Sequence, residues 1–349
     1  MAVGSDAEES LSGLVPRLLG EYGRLVRGVL ASYLPAKEPS RYLYELVADY
    51  PRRGGKMMRP GLCIATARAF GAQPRDAIRT AVSIELLHNA LLIHDDIEDE
   101  SEQRRAQPTL HILHGVPLAI NAGDAMTLMS LRPLIENIET LGSELAMQLI
   151  REMERMALES AEGQAIELGW RRDNVLDLTI DDYLAMVLKK TCWLATIYPI
   201  RAGVLIGMRR NVDLDQFLRF GFLLGAAFQI QDDVLNLVGD HTYGKERNGD
   251  LSEGKRTLML IRLFECTLAE ERRRLGSILS LRREERSPEE VCWMRTLMDK
   301  YECIDYARKI ANGLAGAADY EHSMVFSHLP DSPDKQFLKD MSRWVIERA

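Results

Sequence analysis

Two acidic clusters constrain this chain more than any other feature: Asp95-Asp96-Ile97-Glu98-Asp99 and Asp232-Asp233-Val234-Leu235-Asn236. Each closes a long, largely apolar stretch, Ala81 to Ile93 in one case and Phe217 to Ile230 in the other. On a helix, residues i and i+4 share a face, so Asp95 and Asp99 point together, as do Asp232 and Asn236. Carboxylates held that close repel one another unless a cation sits between them. One such patch is ordinarily a solvated helix end; two of the same design, both entered from apolar helices, call for a shared ligand. Clustered Asp oxygens suit Mg²⁺, which keeps several waters and binds through one or two carboxylates plus substrate phosphates. The pair reads as two jaws around one diphosphate.

The fold expected around these jaws is all-α. Strand-like alternation is rare, and helical patterns fall at about 10–33, 40–50, 58–72, 76–99, 117–129, 132–140, 143–170, 179–208, 213–238, 255–275, 288–299, 302–317 and 334–348. Pro60 fits a first helical turn and Gly71 a helix C-terminus. No internal repeat or low-complexity linker divides the 349 residues, so one domain over 1–349 is expected, with 1–9 a frayed tail. The stretch 239–256 is the most irregular: it holds four glycines among many charges and follows the second acidic cluster directly. A charged loop there is placed to close over a site.

Several classes are excluded. A net charge of −8 argues against a nucleic-acid binder. The N-terminus lacks the basic and apolar regions of a signal peptide, and no apolar run reaches the 18 or so residues of a membrane span. The five cysteines (Cys63, Cys192, Cys266, Cys292, Cys303) lack CxxC spacing and read as buried thiols of a reducing cytoplasm.

Cations accompany the jaws. Gly54-Gly55-Lys56-Met57-Met58-Arg59-Pro60 joins a glycine pair to Lys56, Arg59 and a helix start, which makes an anion site. Arg104-Arg105 follows the first cluster, and Lys190-Thr191, Lys245 and Lys255 flank the second. His88 lies two turns before Asp95 on about the same face, whereas His94 is rotated off it and reads as structural. Glu85-Leu86-Leu87-His88 is an ExxH, but a di-iron bundle needs a second one, and none occurs.

Taken together, GGKMMRP, HNALLIHDDIEDESEQRRAQPTLH, NAGDAM, EGQAIELGW, LKKT, FQIQDDVLNLVGD and GDLSEGKRTL resemble, in order and spacing, the trans-isoprenyl diphosphate synthases of the polyprenyl synthetase family. The likeness runs from about residue 40 to 317 and is nearest the geranylgeranyl diphosphate synthase-like branch. It implies the isoprenoid synthase type I fold, antiparallel helices around a deep central cavity with the Asp motifs facing each other at its mouth, and a homodimer. It implies three Mg²⁺ held by Asp95, Asp99 and Asp232, with Asp96 and Asp233 in support. Arg104, Lys190, Lys245 and Lys255 would then hold an allylic diphosphate, and Lys56, Arg59, His88 and Arg105 isopentenyl diphosphate. Gln229, beside Phe228, would line the reacting centre, with the Thr191 hydroxyl near the developing cation. The reaction implied is a Mg²⁺-assisted head-to-tail (1'-4) condensation through an allylic carbocation. Asn236 departs from the aspartate many members carry, so it is left out of the metal set.

In such an enzyme the residues a turn before the first motif face the growing tail. Here they are Ala90 and Leu91, with Leu87 a turn below. Ala90 leaves room, so a C20 product, geranylgeranyl diphosphate, is expected; a C15 or C25+ product is the alternative. A type I terpene cyclase shares the fold but has no use for a second diphosphate site. A non-catalytic subunit of a heteromeric synthase loses part of the Asp motifs, whereas five acidic positions stand here.

Overall fold

The computed structural model describes residues 13–209, 212–239 and 248–348. Its elements are almost all helices. The first half contains α1 (Leu14–Leu30), α2 (Glu45–Arg52), α3 (Met58–Ala69), α4 (Pro74–Glu98), α5 (Leu110–His114), α6 (Val116–Glu136), α7 (Ile138–Leu141) and α8 (Ser143–Arg172). The second contains α9 (Ile180–Val187), α10 (Tyr198–Met208), α11 (Leu218–Val238), α12 (Gly249–Glu253), α13 (Leu258–Cys266), α14 (Ala269–Leu279), α15 (Pro288–Lys300), α16 (Cys303–Val325) and α17 (Pro333–Glu347). The one departure is a two-residue hairpin, β1 (Gln103–Arg104) against β2 (Gln107–Pro108).

The buried apolar side chains form one continuous core reaching from Val15 to Val345. Helices α4 and α6 pack along each other, as do α3 and α10, and α11 and α16. Close packing explains why α6 runs through Pro133, where the sequence suggested a break between two helices. The opposite happens at 255–275, expected as one helix. It divides at Thr267, and the Glu271 carboxylate caps the new start by accepting the Leu268 N–H at 3.3 Å.

The stretch Ile180–Met208 is long and apolar enough to cross a membrane by length and composition, contrary to the expectation of no such run. Its most apolar window is 89% buried inside the protein. Its centre, Leu188–Ile197, is wound as a π-helix rather than an α-helix. The wider turn lets Lys189 reach out to Glu159 and Glu162, at 2.8 and 2.6 Å, while Lys190 turns inward. Helix α8 passes so close at Gly163 that a Cβ there would run into the Lys190 backbone. The expected tail at 1–9 lies outside the described residues.

Candidate active site

Both acidic motifs sit at C-terminal ends of helices, α4 and α11, where the helix dipole disfavours negative charge. Asp95, Asp96, Asp99 and Asp232 are therefore each matched by a cation brought from another element, while Asp233 is held by neutral donors. Asp96 is wholly buried; it accepts from Tyr50 Oη at 2.5 Å and from Arg104 Nε at 2.9 Å. The β1–β2 hairpin carries Arg104 back under the helix end, where its other guanidinium nitrogen reaches Asp95 at 3.4 Å. Lys190 joins Asp95 at 3.4 Å and pairs tightly with Glu167 of α8. Asp99, 1% exposed, is held by Arg171 at 2.5 Å and Lys255 at 2.7 Å. Burial alone would raise its pKa, but Lys255 and the other cations outweigh burial and hold it below the ordinary range. Burial would lower Lys190, yet Glu167 and Asp95 drive it up, so it stays charged.

On the facing wall, α11 presents Asp232, Asp233 and Gln229. Asp232 accepts from Arg348, near the end of the chain, at 3.2 Å. Arg348 also donates to the Phe228 carbonyl at 3.0 Å and lies 3.9 Å over the Phe228 ring. The Thr191 hydroxyl donates to Gln229 Oε1 at 2.9 Å; Gln229 Nε2 donates to Asp233 at 2.7 Å, and Tyr183 Oη does so at 2.8 Å. Burial, with the charge of Asp250 nearby, pushes the Asp233 carboxyl up to about 8.

A second cationic group adjoins these pairs. Lys56 and Arg59 come from the α2–α3 turn and the start of α3, Arg105 from the hairpin, and His88 from α4. Glu85, 3% exposed on α4, is the counter-charge shared by Arg59, Arg105 and His88, whereas Lys56 faces Asp232; Glu85 holds Asn89 at 2.9 Å and His88 at 3.6 Å. Burial first, then the Arg59 charge, lowers the His88 pKa to about 4, so the ring is neutral. Burial likewise brings Arg59 down to about 10. Arg59 Nε is shielded from solvent and has no hydrogen-bond partner among the described residues.

Asp95, Asp232, Asp233 and both cationic groups line one cavity of about 720 Å³, whereas Asp96 and Asp99, buried beside Tyr50 and Arg171, lie behind its lining. Part of its lining is apolar or small: Leu91, Leu92, Ser160, Met186, Val187 and Leu194. Two of the three residues expected on this lining are elsewhere. Leu91 lines the cavity, but Ala90 and Leu87, both buried, do not. The reason is the helical turn: Leu91 lies about 40° from Asp95 around α4, Ala90 about 140° and Leu87 about 80°. Lys245 lies outside the described residues. Asn236 is buried off the cavity, accepting the Asp250 N–H at 3.1 Å, a contact that joins α11 to α12.

The sequence reading left out Tyr50, Glu85, Glu167, Arg171, Tyr183 and Asp250. Glu85 alone carried a signal, a carboxylate inside an apolar helix. Arg348 and Trp344, which lie outside the motifs quoted from the sequence, also line the cavity.

The carboxylates fit divalent ions. Asp95 and Asp232 offer hard oxygen donors to the cavity from α4 and α11, with Asp99 buried a turn beyond Asp95, and each is balanced by a side-chain cation. Among the described residues no three acidic, His or Cys groups gather tightly enough to bind an ion by protein ligands alone. Mg²⁺ does not need that, since substrate phosphate completes its shell.

The polyprenyl synthetase family profile matches residues 40–297. The short chain isoprenyl diphosphate synthase of Methanothermobacter thermautotrophicus is 35% identical over 306 residues, 84% of this chain and 87% of its own. The geranylgeranyl pyrophosphate synthase of Geoglobus acetivorans is 31% identical over 338 residues, 96% and 99% of the two chains. The crystal structure of geranylgeranyl pyrophosphate synthetase from Pyrococcus horikoshii superposes with a TM-score of 0.82 at 30% identity, covering 99% of this chain and 100% of that one.

Proposed function

Because this chain belongs to the polyprenyl synthetase family, we infer that it is a prenyl diphosphate synthase, a prenyltransferase that lengthens an allylic diphosphate with isopentenyl diphosphate to a linear all-trans product. We propose that the product is geranylgeranyl diphosphate, C20, and that the whole chain is one domain acting in the cytoplasm. The observation that carries the coupling reaction is the presence in one cavity of two cationic groups. One is interleaved with the acidic motifs; the other gathers Arg59, Arg105 and His88 around Glu85 of α4, with Lys56 beside it. A cyclase, with a single diphosphate to hold, has no work for the second.

Lys190, Lys255 and Arg104 bind the allylic diphosphate where the motifs meet. Lys56, Arg59 and Arg105 bind that of isopentenyl diphosphate, with neutral His88 as a hydrogen-bonding partner. Asp95, Asp99 and Asp232 would hold Mg²⁺, and the ion would supply the positive charge that favours loss of the allylic diphosphate. Asp96, fixed by Tyr50 and Arg104, and Asp233, fixed by Tyr183 and Gln229, orient the ligating neighbours. The Gln229 carbonyl, aligned by Thr191, turns a dipole toward the carbon that becomes cationic. The apolar wall of Leu91, Leu92, Met186, Val187 and Leu194 keeps water from that carbon. The acceptor double bond is set at attacking distance by its own diphosphate anchor.

We also propose a homodimer. Val116, Ile120, Leu128, Leu131 and Ile135 form an exposed apolar stripe along α6, with Ile138 just beyond.

The test is incubation of the purified protein with Mg²⁺, isopentenyl diphosphate and dimethylallyl, geranyl or farnesyl diphosphate, with products resolved by mass. A C20 linear diphosphate that disappears with EDTA is expected. Hydrocarbon from the allylic substrate alone would make the chain a cyclase, and no turnover with any primer would make it a partner-dependent subunit.

A further inference from the structure

Residues 282–286, Arg-Arg-Glu-Glu-Arg between α14 and α15, are five consecutive charges. Arg282, Glu284 and Glu285 are exposed and pair among themselves. Arg283 and Arg286 turn inward. Among the described residues Arg286 donates to four backbone carbonyls and to no carboxylate: Ile278 at 3.2 Å, Leu279 at 3.0 Å and Leu281 at 2.7 Å at the end of α14, and Ser252 at 2.5 Å in α12. Three of the four belong to the α14 helix end and the residues just past it, where carbonyls lack helical partners and the dipole favours a cation. The fourth is the functional link. It fastens α12, which follows the second acidic motif, to a rigid helix end.

The next residues show what this fastening positions. Gly254 has φ +72°, and a Cβ on it would lie 2.8 Å from the Arg286 guanidinium, so arginine and glycine are fitted to each other. The Gly254 carbonyl is in turn held by Arg256 Nη1 at 2.5 Å. Between these clamps stands Lys255, its ammonium 2.7 Å from Asp99 and 2.8 Å from Glu253. Arg283 spans the same gap, donating to the Asp99 carbonyl at 2.9 Å and to Glu253 at 2.9 Å. Thus the connector joins the end of the first jaw to the segment that follows the second. Lysine is a flexible point charge whose reach depends on where its backbone is held.

We propose that Arg286, backed by Arg283, is a positioning residue: it fixes the α12–Lys255 segment so that the Lys255 ammonium stands at the first acidic motif, ready for the allylic diphosphate. The inference rests on the diphosphate-binding role given to Lys255 above. Arg286 touches neither substrate nor the reacting atoms and acts through Lys255.

The experiment is a double-mutant cycle with Arg286→Met, Lys255→Met and the pair. Binding of inorganic diphosphate with Mg²⁺ is read by calorimetry, KM for each substrate and kcat by turnover, and folding by thermal unfolding. Lys255→Met is expected to weaken diphosphate binding by about tenfold or more, the scale of losing a charged contact. Arg286→Met should weaken it by a large part of that factor and raise KM for the allylic substrate, leaving KM for isopentenyl diphosphate unchanged. In the Lys255→Met background it should add less than about twofold. Equal effects of Arg286→Met in both backgrounds, or kcat and both KM values shifting alike, would overturn the inference. Unaltered binding in Lys255→Met would instead overturn the role given to Lys255. Should Arg286→Met fail to fold, Arg286→Lys replaces it: an ammonium cannot span all four carbonyls, so the same selective loss is expected, and full activity there would refute the clamp.

Discussion

Chain length is the property the cavity geometry makes most directly testable. Leu91 forms part of its apolar lining about 6 Å along α4 from Asp95, four residues at 1.5 Å each. Leu91→Ala removes three side-chain carbons from that lining. If three further carbons of the prenyl tail are buried in the space, the gain is ~2.4 kcal/mol at ~0.8 kcal/mol per carbon, which shifts the ratio of the next longer product to the main one by about 50-fold. Ala90→Phe is the matched control. Ala90 is wholly buried off the cavity, so added bulk there overpacks the core at a cost of roughly 1–3 kcal/mol and leaves the product unchanged. Products are resolved by mass at saturating isopentenyl diphosphate, and stability is followed by thermal unfolding. Leu91→Ala should lengthen the product by one isoprene unit, and Ala90→Phe should lower only the unfolding temperature. A shorter product from Ala90→Phe, with none longer from Leu91→Ala, would show that the tail runs along the other face of α4 and would refute the reasoning.

Three further outcomes are expected. Arg348→Ala removes the cation bonded to Asp232; a contact contributing about 1 kcal/mol would tighten Mn²⁺ binding about fivefold in the presence of inorganic diphosphate, and unchanged or weaker binding would count against the displacement. The unfolded chain protonates His88 below its ordinary pKa of about 6.5, whereas the folded protein holds it neutral down to about 4, so stability is lost as pH falls through that window. About 2 kcal/mol should go between pH 7 and pH 5 in urea unfolding, and His88→Gln should flatten the slope. Tyr50→Phe deletes a buried hydrogen bond to Asp96 and should cost about 2 kcal/mol by the same method; a loss under about 0.5 kcal/mol would show that Arg104 alone satisfies that carboxylate.

Much of this protein was legible in its residues because the signals are local. Apolar periodicity placed most of the helices, and adjacent aspartates at the ends of apolar runs marked the two motifs. What needed tertiary structure was every long-range pairing of charge: Arg348 with Asp232 across 116 positions, Arg171 with Asp99 across 72, Tyr50 with Asp96 across 46. No spacing rule links residues that far apart. The direction of side chains around α4 also escaped, since one residue along a helix turns the side chain by about 100° and separates Leu91 on the cavity wall from Ala90 in the core. The sequence by itself determined an all-helical chain with two acidic motifs and the cations to match them. Only the packed structure decided which cation meets which carboxylate and where the tail runs, because both depend on the relative placement of helices rather than on any one of them.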